Sequence, residues 1–454
     1  MVPHPPMIIP QIGKGSEKQI ETTIHAYEKV AEDIASLAPD TIIISSPHSV
    51  MYSDYFHISP GSTAQGSFAG FRAPLVSFRE TYDTELVHEI CRLCEERGIP
   101  AGTLGERSRE LDHGTMVPLY FIRQKYDGFR LVRMGLSGLA LTVHYQLGQA
   151  VRDAVQVLGR RMVYVASGDL SHKLQPYGPY GYAPEGPLYD EKIMDVCARG
   201  DFRELFQFGE SFCEKAAECG HRSFVIMAGA LDRQAVTARK LSHEDVTGVG
   251  YGICEFFPEG PDSKRDFLDQ YLAETERKLQ QLREQEDPFV RLARASLEAY
   301  ILHGKEIGIP ANLPKDMTAE RAGVFVSIHK HGKLRGCIGT IRSVTDCIAR
   351  EIIRNAVSAS TQDPRFDPVR PEELKWLEIN VDVLGKPEKI SGVSELDVKR
   401  YGVIVSKGGR RGLLLPDLEG VDTVEQQISI AKQKAGIRSD EKAELERFEV
   451  IRHR

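Results

Sequence analysis

RRMVYVASGDLSH, residues 160–172, is a run of β-branched and aromatic apolar residues that stops abruptly at small and polar ones. A buried strand hands over to a functional loop of an α/β sheet in this way. The hand-over recurs in DTIIISSPHS (40–49) and FRLVRMGLS (129–137), and amphipathic stretches such as EKQIETTIHAYEKVAEDIASLA (17–38) lie between such runs. The alternation predicts an α/β unit over residues 1–256, a central mixed sheet flanked by helices. A Pro/Gly break and a highly charged helix, FFPEGPDSKRDFLDQYLAETERKLQQLREQEDPFV, then predict a linker over 257–286. Helices and strands resume in DPFVRLARASLEAYILHG, GVFVSIHKHGKLRGCIGTI, EINVDVLG and YGVIVSKGGRRGLLLP, a smaller α+β unit over 287–454 with a hairpin turning at His331-Gly332.

The 454 residues are 41% hydrophobic and 27% charged, enough to bury two cores. A net charge of -7 gives no basic footprint, so nucleic acid is not an expected partner. No apolar run approaches the roughly 18 residues of a membrane span, and the first residues lack the basic and apolar segments of a signal peptide. A cytoplasmic protein with no membrane partner is expected. Eight scattered cysteines read as reduced thiols. Cys91 and Cys94 share one face of a helical stretch with no second pair, so they read as core residues ahead of zinc ligands.

Five polar clusters stand at strand ends or tight turns of the first unit: Pro3-His4-Pro5-Pro6, Ser46-Pro47-His48-Ser49, Leu111-Asp112-His113-Gly114, Ser167 to His172, and Ala217-Glu218-Cys219-Gly220-His221. Catalytic metal sites are assembled from distant loops in this manner, two imidazoles and a carboxylate on one side of the ion and open positions on the other. Prolines beside His4 and His48 stiffen the backbone that carries each imidazole. Taken alone, His4 reads as a solvated loop side chain, and Asp169 with His172 as a capping acid beside a surface imidazole. Five clusters together favour a shared site, in which Asp169 orients His172.

These motifs resemble the class III extradiol ring-cleavage dioxygenases of the LigB type, a group that also includes the Memo proteins. The resemblance covers residues 1–256. It implies His4 and His48 as metal ligands, and Glu218 as the third, with the adjacent Cys219 as the alternative because Memo proteins use a cysteine near that position. It also implies His113 and His172 as acid/base groups, and Fe(II) as the ion, with another divalent metal or copper as the alternative. A small aromatic, catechol-like substrate and dioxygen follow from the same resemblance. Only Met1 and Val2 precede the P-H-P-P motif, which leaves room for an abbreviated first strand. Tyr52, Tyr55 and QPYGPYGYAPEG (175–186) are weighed as pocket lining, and a mobile surface loop is the favoured reading of the latter.

The second unit resembles the AMMECR domain through LRGCIG (334–339), DPRF (363–366) and GLLLP (412–416). The pairing is similar to the family called AmmeMemoRadiSam system protein A, which implies a radical SAM enzyme as partner; a homo-oligomer is also expected. Cys337 lies between glycines, two residues after Arg335, whose guanidinium would favour thiolate. Arg335, Cys337 and Arg365 therefore form a possible second site, with buried packing as the favoured reading of the thiol. Two functions compete for the whole: an Fe(II)-dependent extradiol-type oxygenase, and a non-catalytic Memo-like adaptor holding iron or copper.

Overall fold

The computed structural model describes residues 1–107, 110–418 and 420–454. Its chain divides into two compact units, Met1–Leu272 and Ala273–Arg454. In the first unit the strand Thr41–Ser46 pairs in parallel with Arg130–Gly135 on one side and Met162–Ala166 on the other. All six residues of the central strand are buried, as a strand covered on both faces requires. Isolated bridges make the sheet mixed: Ile58 meets Met134 antiparallel and Tyr82 meets Leu131 in parallel. Helix Glu21–Leu37 turns Thr23, Ala26, Tyr27, Ala31 and Ile34 inward, the spacing of one helical face.

The chain leaves the central strand for a neighbour on one side and later returns to the other. A crevice outside the carboxyl ends of the strands is the consequence. Ser46, Gly135 and Ala166 end together there, and the loops carrying His48 and Asp169 begin. The N-terminus joins the same edge, because Val2 forms a parallel bridge with Ser167, donating to the Ala166 carbonyl at 3.0 Å and accepting from Gly168 N at 2.9 Å. Two residues are thus enough of a strand to place His4 at the crevice.

The expected boundary at 256 falls inside a strand. Tyr251–Pro261 pairs antiparallel with Gln234–Glu244, and Pro258 sits opposite Val236 where the register slips. A bulge tolerates a proline that a regular ladder would not, so the Pro/Gly stretch bends a strand without ending it. The expected linker helix is Phe267–Gln285, which begins in the first unit and ends in the second.

The second unit is α+β. One antiparallel sheet orders its strands Lys333–Gly339, Gly323–Lys330, Leu377–Leu384 and Val450–His453. A second orders Glu388–Lys389, Glu444–Phe448, Gly402–Lys407 and Arg410–Leu414. Residues of the helices Pro288–His303 and Ile348–Thr361 share a core with the first sheet. The hairpin turn is His331-Gly332, both at positive φ (53° and 75°), as a two-residue turn between right-twisted strands demands. Cys91 and Cys94 lie in helix Thr84–Glu96, Cys94 fully buried, and all eight cysteines are free thiols. No described helix is long and apolar enough to cross a membrane.

Candidate metal centre

His4 is buried and held at three points. Its backbone N–H donates to Asp169 Oδ1 at 2.7 Å, its Nδ1 lies 2.9 Å from Ser167 Oγ, and the Pro3 carbonyl before it accepts from the buried Tyr27 hydroxyl. Ser167 has one hydroxyl hydrogen, which it donates to the Gly114 carbonyl at 2.6 Å. It therefore accepts from His4, which puts the proton on Nδ1 and leaves a lone pair on Nε2. That Nε2 faces His48 Nε2 at 3.0 Å and Cys219 Sγ at 3.7 Å. Two ring nitrogens about 3 Å apart have the spacing of donors that share one ion at about 2.1 Å from each.

His48 is the exposed member, on a loop tied back by its N–H to Ser46 Oγ (3.2 Å), which in turn donates to Asp112 Oδ1 (2.6 Å). Asp112 caps the next helix, accepting from Thr115 N at 3.0 Å, and that helix begins with His113. The cap brings the His113 ring within 4.0 Å of the His48 ring and 5.4 Å of the His4 ring, centroid to centroid. Burial, and then the neighbouring His48, hold His4 and His113 down to about 3, so both rings are neutral, as ligation and proton acceptance require.

Two groups of donors lie within 4.8 Å of one another among the described residues: His4, His48 and Cys219, and Asp169, His172 and Cys219. Glu218, the third ligand expected from the sequence, is in neither. Its Oε2 accepts from His221 N at 2.6 Å, at the start of helix His221–Ala230, and burial pushes its carboxyl up to about 7. Cys219 takes the inward place. Residues 218 and 219 occupy a turn between two helices that opens with Ala217 in the left-handed region (φ 54°). The hydrogen bond to His221 N holds the Glu218 side chain away from the donor group.

The turn is fastened to the loop after the third parallel strand. Asp169 N donates to Cys219 Sγ at 3.2 Å, and the Asp169 carbonyl accepts from Cys219 N (3.4 Å) and Gly220 N (3.1 Å). Burial pushes the Cys219 thiol well up, so ionisation awaits a cation. Burial also lowers His172 and raises Asp169. His172 Nε2 is buried with no hydrogen-bond partner among the described residues.

Two imidazoles and a thiol form a borderline-to-soft donor set that suits iron, zinc or copper and not magnesium or calcium. Ser167, not among the expected ligands, is the residue that sets the tautomer of the His4 ring. Its position directly after an apolar strand was the available signal. Ser167→Ala is expected to lower metal affinity 10- to 100-fold, the usual effect of removing a ligand's outer partner, as read by equilibrium dialysis against Fe(II).

The possible second site is arranged differently from expectation. Arg335 is the extra residue of a bulge between Leu334, paired with His329, and Gly336, paired with Ile328. The bulge breaks the alternation that would set Arg335 beside Cys337, and its guanidinium goes to Glu373 (2.9 Å) and the Asp367 carbonyl (2.8 Å). Arg365 pairs with Asp363 at 2.7 Å, while Asp363 also accepts from Cys337 N at 2.9 Å. Burial raises the Cys337 thiol above its ordinary range, and Ser327 Oγ donates to its sulfur at 3.2 Å. Burial pushes Glu373 up, but hydrogen bonds from Arg335 and Lys330 outweigh it and hold the carboxyl at about 2. A depressed carboxyl stabilises the fold above its ordinary value of 4.5 and stops doing so as pH falls through about 2. Glu373→Gln is expected to cost about 1–2 kcal/mol at pH 7 and little at pH 2, as read by urea unfolding at the two pH values.

Comparison with known proteins agrees with this architecture. The family model described as the catalytic LigB subunit of aromatic ring-opening dioxygenase matches residues 1–254, and the one described as AMMECR1 matches residues 290–453. The chain belongs to the LigB family, and its second unit is an AMMECR1 domain. A protein of Clostridium acetobutylicum with the same span is 41% identical over 466 aligned residues, covering 100% of this chain and 98% of its own. A protein of Thermotoga maritima is 52% identical over 171 residues, covering 37% of this chain and 98% of its own. The crystal structure of an uncharacterised protein from Pyrococcus horikoshii is 34% identical, covering 36% of this chain and 88% of that one, with a TM-score of 0.34.

Proposed function

We propose that the first unit is a non-haem oxygenase of the extradiol type, in which His4, His48 and Cys219 hold Fe(II), and His113 and His172 handle the protons of a small aromatic diol. The observation that carries the reading is His172. A buried ring nitrogen without a partner is costly, and this one gains a partner once a substrate hydroxyl lies beside the donor group. When bound, the ion supplies a Lewis-acidic contact for the diol oxygens and electron exchange with dioxygen. The remaining steps belong to the chain. His172, kept neutral by burial, accepts a hydroxyl proton at Nε2, and Asp169 lies close enough to stabilise the imidazolium that results. His113, kept neutral beside His48, is placed to hydrogen-bond a substrate oxygen, while the proton taken up by His172 is the one available to be returned. A second reading, a Memo-like metal holder without turnover, is favoured by the sulfur donor, since a thiolate also accommodates Cu(I).

The test is anaerobic addition of Fe(II) followed by nitric oxide. A high-spin iron-nitrosyl EPR signal in the wild type that vanishes in His48→Ala and Cys219→Ala supports an open Fe(II) site. Bound metal without that signal would sink the oxygenase and leave the holder.

A further inference from the structure

Two partly exposed aromatic rings pack against two of the site's imidazoles. Tyr180 stacks on His172, ring centroids 5.1 Å apart and planes at 29°, and still leaves 60% of its surface exposed. Phe71 meets His113 edge-on at 5.4 Å and 64°, with 39% exposed. A large ring that packs against an imidazole and keeps much of its surface open is placed to meet something from solution.

Both placements are built. The segment expected to be a mobile surface loop is tied down on either side of Tyr180: Leu174 N donates to the Gly248 carbonyl (3.1 Å), Gln175 Nε2 to Asp245 Oδ2 (2.8 Å) and Ala183 N to the Lys173 carbonyl (3.1 Å), while Leu174 and Tyr182 form an antiparallel bridge. A side chain on Gly178 would come within 3.0 Å of Gly248 Cα, so the loop lies directly on its neighbour. Phe71 ends a single 3-10 turn, Ala69–Phe71, and the next residue, Arg72, adopts a left-handed φ of 62°. A non-glycine residue in that region costs about 1 kcal/mol, which the surrounding fold must offset.

We propose that Tyr180 and Phe71 are the specificity walls of the substrate pocket, Tyr180 offering a stacking face on the His172 side and Phe71 an edge on the His113 side, and that together they favour a flat ring over an aliphatic ligand with the same chelating group. The proposal rests on the metal-centre reading above, because the rings act only on a ligand anchored at the ion. It assigns recognition to two side chains that meet the site at His172 and His113.

Benzohydroxamate and acetohydroxamate share one chelating group and differ in the ring, so their affinity ratio isolates the walls. Calorimetric titration of the anaerobic Fe(II)-loaded protein is expected to favour benzohydroxamate. Tyr180→Ala should reduce that preference about fivefold, in the range of one aromatic pair, with acetohydroxamate affinity unchanged and Tyr180→Phe close to wild type. Phe71→Ala should reduce it by a smaller factor. The nitrosyl signal, recorded for every variant, separates the two ideas. A retained signal with an unchanged hydroxamate ratio in both alanine variants, or with no hydroxamate binding to the wild type, overturns the walls and spares the metal centre. A wild type without the signal overturns the metal centre, and the walls with it.

Discussion

Cys219→Ala is expected to lower Fe(II) affinity by more than about a hundredfold, beyond the loss typical of an outer partner, whereas Glu218→Gln should leave it within about threefold. The contrast follows from which way the turn faces. Cys219 Sγ lies 3.7 Å from His4 Nε2, while the Glu218 carboxylate is engaged with the His221 N–H. Glu218→Gln keeps a carbonyl oxygen for that N–H, so the helix should lose about 1 kcal/mol or less. Equilibrium dialysis with Fe(II), with urea unfolding in parallel, reads both quantities. Equal losses of metal from the two variants would return Glu218 to the ligand set.

Gly168→Ala is expected to disturb the donor group through a single added methyl group. The added carbon would stand 2.1 Å from Gly220 Cα, a backbone atom that cannot swing aside. The loops bearing Asp169 and Cys219 must then separate, at a cost of about 1–3 kcal/mol for overpacking. The separation also strains the Asp169 N to Cys219 Sγ hydrogen bond and moves the thiol away from His4. Metal affinity should therefore fall about tenfold or more while the far-ultraviolet circular dichroism remains that of a folded protein. A variant that unfolds less readily than wild type, or binds metal equally well, would show that the two loops have slack.

Much of this was legible in the chain. Strands that run from apolar residues into Ser-Pro-His or Ser-Gly-Asp announced both the sheet and the crevice, because a parallel strand buried on both faces must keep its polar chemistry for the loop beyond it. His4, His48 and His113 pack ring beside ring, and His172 joins Asp169 and Cys219 in a second donor group that shares the Cys219 sulfur. The choice between Glu218 and Cys219 was not legible, since it depends on a left-handed Ala217 and on a cap, and neither leaves a periodic trace. Arg335 misled for a related reason: a one-residue bulge reverses which face a side chain joins. Tyr180 was hidden by its company, because a stretch rich in glycine, proline and tyrosine reads as an untethered loop until its anchors on Asp245 and Gly248 are seen.

The Asp169 carbonyl accepts from both Cys219 N and Gly220 N while the Asp169 N–H donates to the Cys219 sulfur, so the peptide units of one residue place the sulfur donor. Small metallo-domains fold only when loaded, so that their ion is part of the scaffold. Here the sulfur is also held by the peptide units of Asp169, so an ion that binds at the site shares the placing of its thiol with the fold.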